Sequence, residues 1–163
     1  MKRFFSFSLL IVLILSGCQS GEDKTKDEEV KTIRLAHTGS DTHQYNIASQ
    51  KFKELVEKKS QGELKVNVYG NGSLGNEDEL VDQTMTGSIQ MSTVAADSSL
   101  SNTIPEMNLF GIPYLFENKQ DVYSKLDGKP GKDLLKLAQS KDMQGLGYWE
   151  VGFRHFTNNK REI

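Results

Sequence analysis

The segment from residue 32 to residue 94 alternates between strand-like and helix-like hydrophobic patterns, and this order constrains the fold more than any other feature of the chain. Strand patterns occupy residues 32–37, 64–69 and 89–94. Amphipathic helical patterns fill the two intervals, at residues 45–59 and 76–86. The order β-α-β-α-β predicts an α/β fold, with a mainly parallel sheet flanked by helices and right-handed crossovers.

The loops that follow the predicted strands are the expected ligand-binding region. In parallel sheets covered by helices, ligands bind at the carboxyl ends of the strands. The loops after Ala36, Tyr69 and Ala95 should therefore surround one crevice. The second helix begins at this crevice, where Asn76 and Glu79 have the spacing of a capping box.

The remainder of the chain carries weaker patterns. Residues 119–126 and 131–138 have the spacing of helices. Residues 145–149 and 153–157 have the composition of strands.

The N-terminus has the order of a lipoprotein signal. Lys2 and Arg3 precede an apolar run at residues 4–15, which is too short to span a bilayer, and small residues then lead to Cys18. This order predicts a signal peptide at residues 1–17 and lipid attached to Cys18, which would anchor an exported protein at the outer face of the plasma membrane or in the periplasm. The alternative is an uncleaved apolar N-terminus with an incidental cysteine. Residues 18–31 comprise Cys18 and a polar, charged stretch, which predicts a flexible tether.

Composition argues against several classes of function. The formal charge is −2, and it becomes −4 when Lys2 and Arg3 leave with the signal peptide, which argues against a nucleic-acid partner. Cys18 is the one cysteine, so a lipidated chain has no thiol for a nucleophile or a metal site. The three histidines lack the spacing of a zinc site, and we expect no metal and no cofactor.

Several short stretches resemble one protein family in their order and spacing. They are IRLAH (33–37), GSLG (72–75), GSIQM (87–91), IPYLF (112–116) and YWEVGFRHFTNNKR (148–161). Together they resemble the DctP-type solute-binding proteins of tripartite ATP-independent periplasmic (TRAP) transporters. The resemblance covers the chain from about Lys31 onward.

The resemblance implies a receptor and not an enzyme, with no catalytic residues. Such proteins close two α/β lobes on a small organic acid and deliver it to TRAP membrane permease subunits. The expected ligand is a C4-dicarboxylate or an acidic sugar such as a uronate. Residues 32–150 correspond to a periplasmic-binding-protein-like first lobe, and residues 151–163 to the start of the crossover into a second lobe that is incomplete here. We therefore expect this chain alone to bind ligand weakly or not at all.

The resemblance also nominates charged site residues. Arg154 lies where the family carries a second ligand-contacting arginine, and a guanidinium can bind a carboxylate through two hydrogen bonds. The alternative for Arg154 is an ion pair with an Asp or Glu. Glu77 lies where some relatives place an acidic ligand contact, but a first-turn acid also stabilises a helix dipole. The family's main carboxylate-binding arginine has no counterpart in the chain.

The other candidates are polar or aromatic residues near the crevice. His37, Thr38 and Ala95 follow the first and third strands, although a buried structural histidine is an alternative for His37. Trp149 and Phe153 are candidates for stacking on the ligand's carbon skeleton, or for core positions. Asn158 is a candidate polar contact near the junction of the lobes.

Two other functions are compatible with parts of the pattern. A secreted α/β hydrolase would need Ser88 or Ser92 as its nucleophile, but no Gly-x-Ser-x-Gly motif exists and only His155 follows them. A lipoprotein remnant that has lost its partner lobe would bind no small ligand.

Overall fold

A computed structural model of the chain describes residues 30–155 and 157–160. The predicted signal peptide, Cys18 and the predicted tether as far as residue 29 lie outside the described residues. Lys31, the last residue of the predicted tether, lies in the first strand. Lys31 already belongs to the sheet, because its amide donates a hydrogen bond to the carbonyl of Glu63 at 2.9 Å.

Three parallel strands form the sheet, in the order β2-β1-β3. They are β1 (Lys31–His37), β2 (Leu64–Tyr69) and β3 (Met91–Thr93). This arrangement confirms the predicted α/β fold with a parallel sheet. β3 is shorter than the predicted strand because it pairs with β1 at only three positions, opposite Leu35, Ala36 and His37.

Helices connect and follow the strands. The bounds are α1 (Gln44–Lys59), α2 (Glu77–Met85), α3 (Ser101–Thr103), α4 (Lys119–Leu126) and α5 (Lys129–Leu137). A π-helical turn (Ala96–Leu100) precedes α3, and 3-10 segments follow α3 and α5 (Pro105–Gly111 and Ala138–Lys141). No helix within this described part combines the length and apolarity needed to cross a membrane.

The N-terminus of α2 carries the capping box that the sequence predicts. The Asn76 side chain accepts a hydrogen bond from the Glu79 amide at 3.0 Å, and the Glu79 carboxylate accepts one from the Asn76 amide at 2.8 Å. Gly87 follows the helix with a φ of 74°, a left-handed conformation that favours glycine. The first turn of α2 is thereby fixed at the end of the β2–α2 loop.

Two apolar clusters hold these elements together. Ala36, Leu80 and Ile89 are fully buried and join β1, α2 and the approach to β3. Ile104, Met107 and Ala138 form the second cluster, under the helices of the C-terminal part. The first cluster lies directly beneath the loops that leave β1 and β3, and so it fixes the position of the predicted crevice.

The predicted strands near the C-terminus are wrong. Residues 145–155 form no strand, and the sheet of the described residues consists of β1, β2 and β3 alone. Side chains hold this segment to the helices instead. Tyr148 donates a hydrogen bond to the carbonyl of Gly131 at 2.9 Å, and Tyr123 donates one to Glu150 at 2.7 Å. A strand-like composition is insufficient without a neighbouring strand to complete the hydrogen-bond ladder.

Replacing Asn76 with alanine should destabilise the chain by about 1 kcal/mol, because the Glu79 amide at the start of α2 loses its side-chain acceptor. The free energy of unfolding is measured by urea denaturation. Asn108→Ala is the matched control, because Asn108 is exposed and lies outside any cap. Equal stability of the two variants would contradict the prediction.

Candidate functional site

The carboxylate of Glu77 collects three donors from separate segments at the carboxyl ends of β1 and β3. Thr38 donates its hydroxyl hydrogen to Oε1 at 3.0 Å. The Ala95 amide and the Ser99 hydroxyl both donate to Oε2, at 3.0 and 3.2 Å. The structure therefore brings together three of the sequence-predicted residues, Thr38, Glu77 and Ala95. Ser99 is a fourth member that the sequence analysis missed.

These contacts give Glu77 a positioning role. A carboxylate offers about four acceptor sites, and three of those on Glu77 are occupied. The side chain is half-buried in the first turn of α2, where the helix dipole also favours a negative charge. Glu77 is thus held in place at the carboxyl edge of the sheet, and the hydrogen bonds of the described residues leave about one of its acceptor sites unoccupied.

Arg154 lies at the same edge of the sheet. Its Nη1 donates a hydrogen bond to Asp97 Oδ2 at 3.2 Å, and 78% of the arginine side chain is exposed. The ion pair that the sequence left open as an alternative for Arg154 is therefore present. Because exposed pairs contribute little stability, Asp97 orients the guanidinium without fixing it strongly. The guanidinium has five N–H donors, so a single bond to Asp97 leaves most of its binding capacity available.

Tyr45 lies near the Glu77 cluster, at the first residue of the helical pattern that the sequence predicts for residues 45–59. It is 9% exposed in the first turn of α1, and its ring packs edge-on against His43 at a centroid distance of 4.6 Å. Burial raises the pKa of Tyr45, the carboxylate of Glu77 adds to this effect, and Arg154 opposes it. The phenol thus lies within electrostatic reach of both charged candidates. The sequence signal for Tyr45 is that it lies in the first turn of the helix that follows the β1 loop.

His37 lies behind the crevice. It is fully buried at the end of β1, and the His37 and Tyr45 ring centroids are 6.4 Å apart. Neither ring nitrogen makes a hydrogen bond of good geometry within the described part of the chain. Burial lowers the pKa of His37, and nearby Asn46 and Gly39 partly offset this effect. The burial of His37 agrees with the structural alternative, whereas its unbonded ring nitrogens do not, and its role stays a prediction.

Trp149, Phe153 and Asn158 are the remaining sequence-predicted candidates. Trp149 is half-buried and Phe153 is 45% exposed. Neither makes a hydrogen bond or a ring contact with the Glu77 cluster within residues 30–155 and 157–160. Asn158 is exposed, and its Oδ1 accepts a hydrogen bond from the Lys160 amide at 2.9 Å.

The two serine residues considered for a hydrolase have threonine hydroxyls as neighbours in the described part of the chain. Ser92 accepts a hydrogen bond from the Thr84 hydroxyl at 2.8 Å, and the Ser88 hydroxyl lies 3.2 Å from that of Thr86. Neither serine is bonded to a histidine in the described part. Residues 30–155 and 157–160 also contain no group of three His, Cys, Asp or Glu side chains placed to hold a metal ion.

Comparison with protein families agrees with this arrangement. Residues 35–163 match the family model of DctP, the bacterial extracellular solute-binding proteins of family 7. The chain belongs to this family. It is a DctP-family protein of the TRAP solute-binding type.

Individual relatives and structures support the same assignment. The chain is 30% identical to the 2,3-diketo-L-gulonate-binding periplasmic protein YiaO of Escherichia coli, over 85% of this chain and 42% of YiaO. The sugar acid binding protein DctPAm of Advenella mimigardefordensis, solved with galactonate, is 37% identical with a TM-score of 0.76, covering 83% of this chain and 43% of that one. A TRAP solute-binding protein of Sulfurospirillum deleyianum, solved with succinate, is 28% identical with a TM-score of 0.73, covering 81% and 42%. The chain thus spans about two fifths of the length of these relatives.

Glu77→Ala should reduce the free energy of unfolding by about 1–3 kcal/mol, because it leaves the Ala95 amide and two hydroxyls without their acceptor. Asp78→Ala is the matched control. It removes the same charge from the same helical turn but disturbs only an exposed bond from Asn102. Glu77→Gln should fall between them, because it keeps one acceptor oxygen. A Glu77→Ala variant no less stable than Asp78→Ala would refute the prediction.

Stability should also fall as the pH decreases from about 6.5, because His37 binds a proton more readily in the unfolded chain than in the folded one. The lowered pKa means that the neutral ring contributes stability above this pH, and that the contribution is lost as the pH falls towards the folded-state pKa. His37→Gln should flatten the dependence of the unfolding free energy on pH between about 7 and 5. His155→Gln, at an exposed histidine, should retain the wild-type slope.

Proposed function

We propose that this chain contributes the first lobe of an extracytoplasmic receptor that captures a small organic acid and delivers it to a TRAP membrane permease. The observation that carries the proposal is the exposed Arg154 guanidinium at the carboxyl edge of the sheet, beside the Glu77 cluster. A planar cation with free N–H donors is the group that recognises a carboxylate through two hydrogen bonds. The small acids bound by the related proteins agree with this chemistry.

The charges around Arg154 favour a sugar acid over a C4-dicarboxylate. Glu77 and Asp97 place two carboxylates at the same edge, and both would repel a second carboxylate on the ligand. A sugar acid has one carboxylate for Arg154, while its hydroxyl groups suit the remaining acceptor site of Glu77 and the phenol of Tyr45. The galactonate complex and the name of YiaO both refer to ligands of this type.

Capture would proceed by exchange of partners at Arg154. The ligand carboxylate would replace Asp97, which is held by a single bond at an exposed site and is therefore displaced at little cost. Ligand binding would then favour a closed form through contacts that exist only in that form. The remaining contacts would come from the part of the receptor that corresponds to the other three fifths of the relatives.

Export with a lipid anchor completes the proposal. Lipid on Cys18 would hold the receptor near its permease at the outer face of the plasma membrane or in the periplasm. Cells grown with an alkyne-labelled fatty acid should label the wild-type protein, and Cys18→Ala should abolish the label. Persistent labelling of the variant would exclude Cys18 as the site.

The test of the receptor function is calorimetric titration of the full-length gene product with galactonate and, separately, with succinate. Arg154→Ala should weaken binding by about 10-fold to 150-fold, the equivalent of a lost charge-assisted hydrogen bond of about 1.5–3 kcal/mol. Galactonate should bind more tightly than succinate, because it brings only one carboxylate to the two acidic residues.

Lys119→Ala is the control for net charge. Lys119 pairs with Glu150 at 3.5 Å, and the control should leave affinity unchanged. Wild-type protein that binds neither acid would overturn the proposed function. Equal affinities of Arg154→Ala and Lys119→Ala would overturn the role of Arg154.

A further inference from the structure

The outer edge of β2 is a surface where another strand could add. β2 is the outermost strand in the order β2-β1-β3. The carbonyl of Glu63 is bonded to β1, so the alternation of a parallel ladder turns the backbone groups of Leu64, Val66 and Val68 away from β1. Unpaired groups of this kind form a template for the strand of another chain.

Side chains from α1 occupy this edge. The Val66 amide donates to Glu57 Oε1 at 3.0 Å, and the Val66 carbonyl accepts from Lys53 Nζ at 2.6 Å. One turn further along, the Leu64 amide donates to the Ser60 hydroxyl at 3.1 Å. Both backbone groups of Val66 are therefore satisfied as a neighbouring strand would satisfy them.

The three side chains form one row on the helix. Lys53, Glu57 and Ser60 are spaced by four and three residues, which aligns them on a single face of α1. Lys53 and Glu57 are also bonded to each other at 2.8 Å, and each side chain is about one-third exposed. The hydrogen bond from Lys53, followed by that from the Val66 amide, lowers the pKa of Glu57, so the carboxylate remains charged at neutral pH.

The neighbouring ion pair on α1 provides a contrast. Lys51 and Glu54 are also bonded at 2.8 Å, but their side chains are 60% and 62% exposed. Neither one is hydrogen-bonded to β2 in the part of the chain that the structure describes. Both pairs are ion pairs on α1, but only Lys53 and Glu57 are positioned to bond the backbone of β2.

We propose that Lys53, Glu57 and Ser60 take the place of a fourth strand and close the β2 edge to a second copy of this chain. The uncovered part of the edge is at Val68, where a shallow hollow is lined by Gln50, Lys53 and residues 66–69. A gap of one outward-facing residue is too short for stable pairing on its own. When the row is removed, the edge should accept the equivalent edge of a second copy by strand addition.

The test is the double variant Lys53→Ala/Glu57→Ala. Light scattering after size-exclusion chromatography, at several protein concentrations, should show a shift from the wild-type mass towards twice that mass. At a concentration too low for association, hydrogen exchange of the Val66 amide should accelerate about tenfold, because it loses one hydrogen bond of about 1.4 kcal/mol.

The control is Lys51→Ala/Glu54→Ala, which removes an ion pair of the same type from the same helix. It should retain the wild-type mass and the wild-type exchange rate at Val66. If the first variant unfolds, as judged by circular dichroism, Lys53→Met is measured instead. It keeps the aliphatic stem but leaves the Val66 carbonyl without its donor, and it should show the same shift in mass to a smaller extent.

A third change identifies the surface. Val68→Pro, added to the Lys53→Ala/Glu57→Ala variant or to Lys53→Met, removes an outward-facing amide that strand addition requires. It should restore the wild-type mass. Two outcomes would overturn the proposal. One is association that persists with the proline. The other is a Lys53→Ala/Glu57→Ala or Lys53→Met variant that behaves like the Lys51→Ala/Glu54→Ala control.

Discussion

The carboxylate of Glu77 connects segments that lie far apart in the sequence, and the shape of the crevice depends on it. It joins the loop after β1, the start of α2 and the turn after β3 through Thr38, Ala95 and Ser99. Without the carboxylate each donor would lose its acceptor, so disrupting this cluster would lower the free energy of unfolding. The same turn after β3 carries Asp97, and so the position of the Arg154 guanidinium also depends indirectly on Glu77.

Two ion pairs of similar composition have different consequences because of their surroundings. Arg154 and Asp97 meet at an exposed site, where water weakens their attraction, and in the proposed receptor a ligand carboxylate would replace Asp97. Lys53 and Glu57 share their hydrogen bonds with the backbone of β2, so breaking the pair exposes an unsatisfied strand edge. The first arrangement suits reversible binding in the proposed receptor, and the second suits permanent closure of an edge.

Local signals in the sequence predicted the elements whose stability is local. The capping box of Asn76 and Glu79 and the bounds of α4 depend on neighbouring residues and are confirmed. The strands predicted between residues 145 and 157 depend on a partner elsewhere in the fold, and over the described residues 145–155 they are wrong. Resemblance and strand order nominated Thr38, Glu77 and Ala95, and the structure brings these three residues together. They did not nominate Ser99 or Tyr45, whose contacts arise from packing between elements.

The alternation of strands and helices, and with it the parallel sheet, follows from the sequence alone. Hydrophobic periodicity and helix capping are properties of short segments, so they can be recognised in the sequence without knowledge of the fold. The partners of the charged groups are instead set by the packed fold. It bonded Glu77 to three donors, paired Arg154 with Asp97 and directed Lys53 and Glu57 onto β2. Hydrogen bonds require separations of about 3 Å, and such distances between remote residues are set by the packing of whole elements.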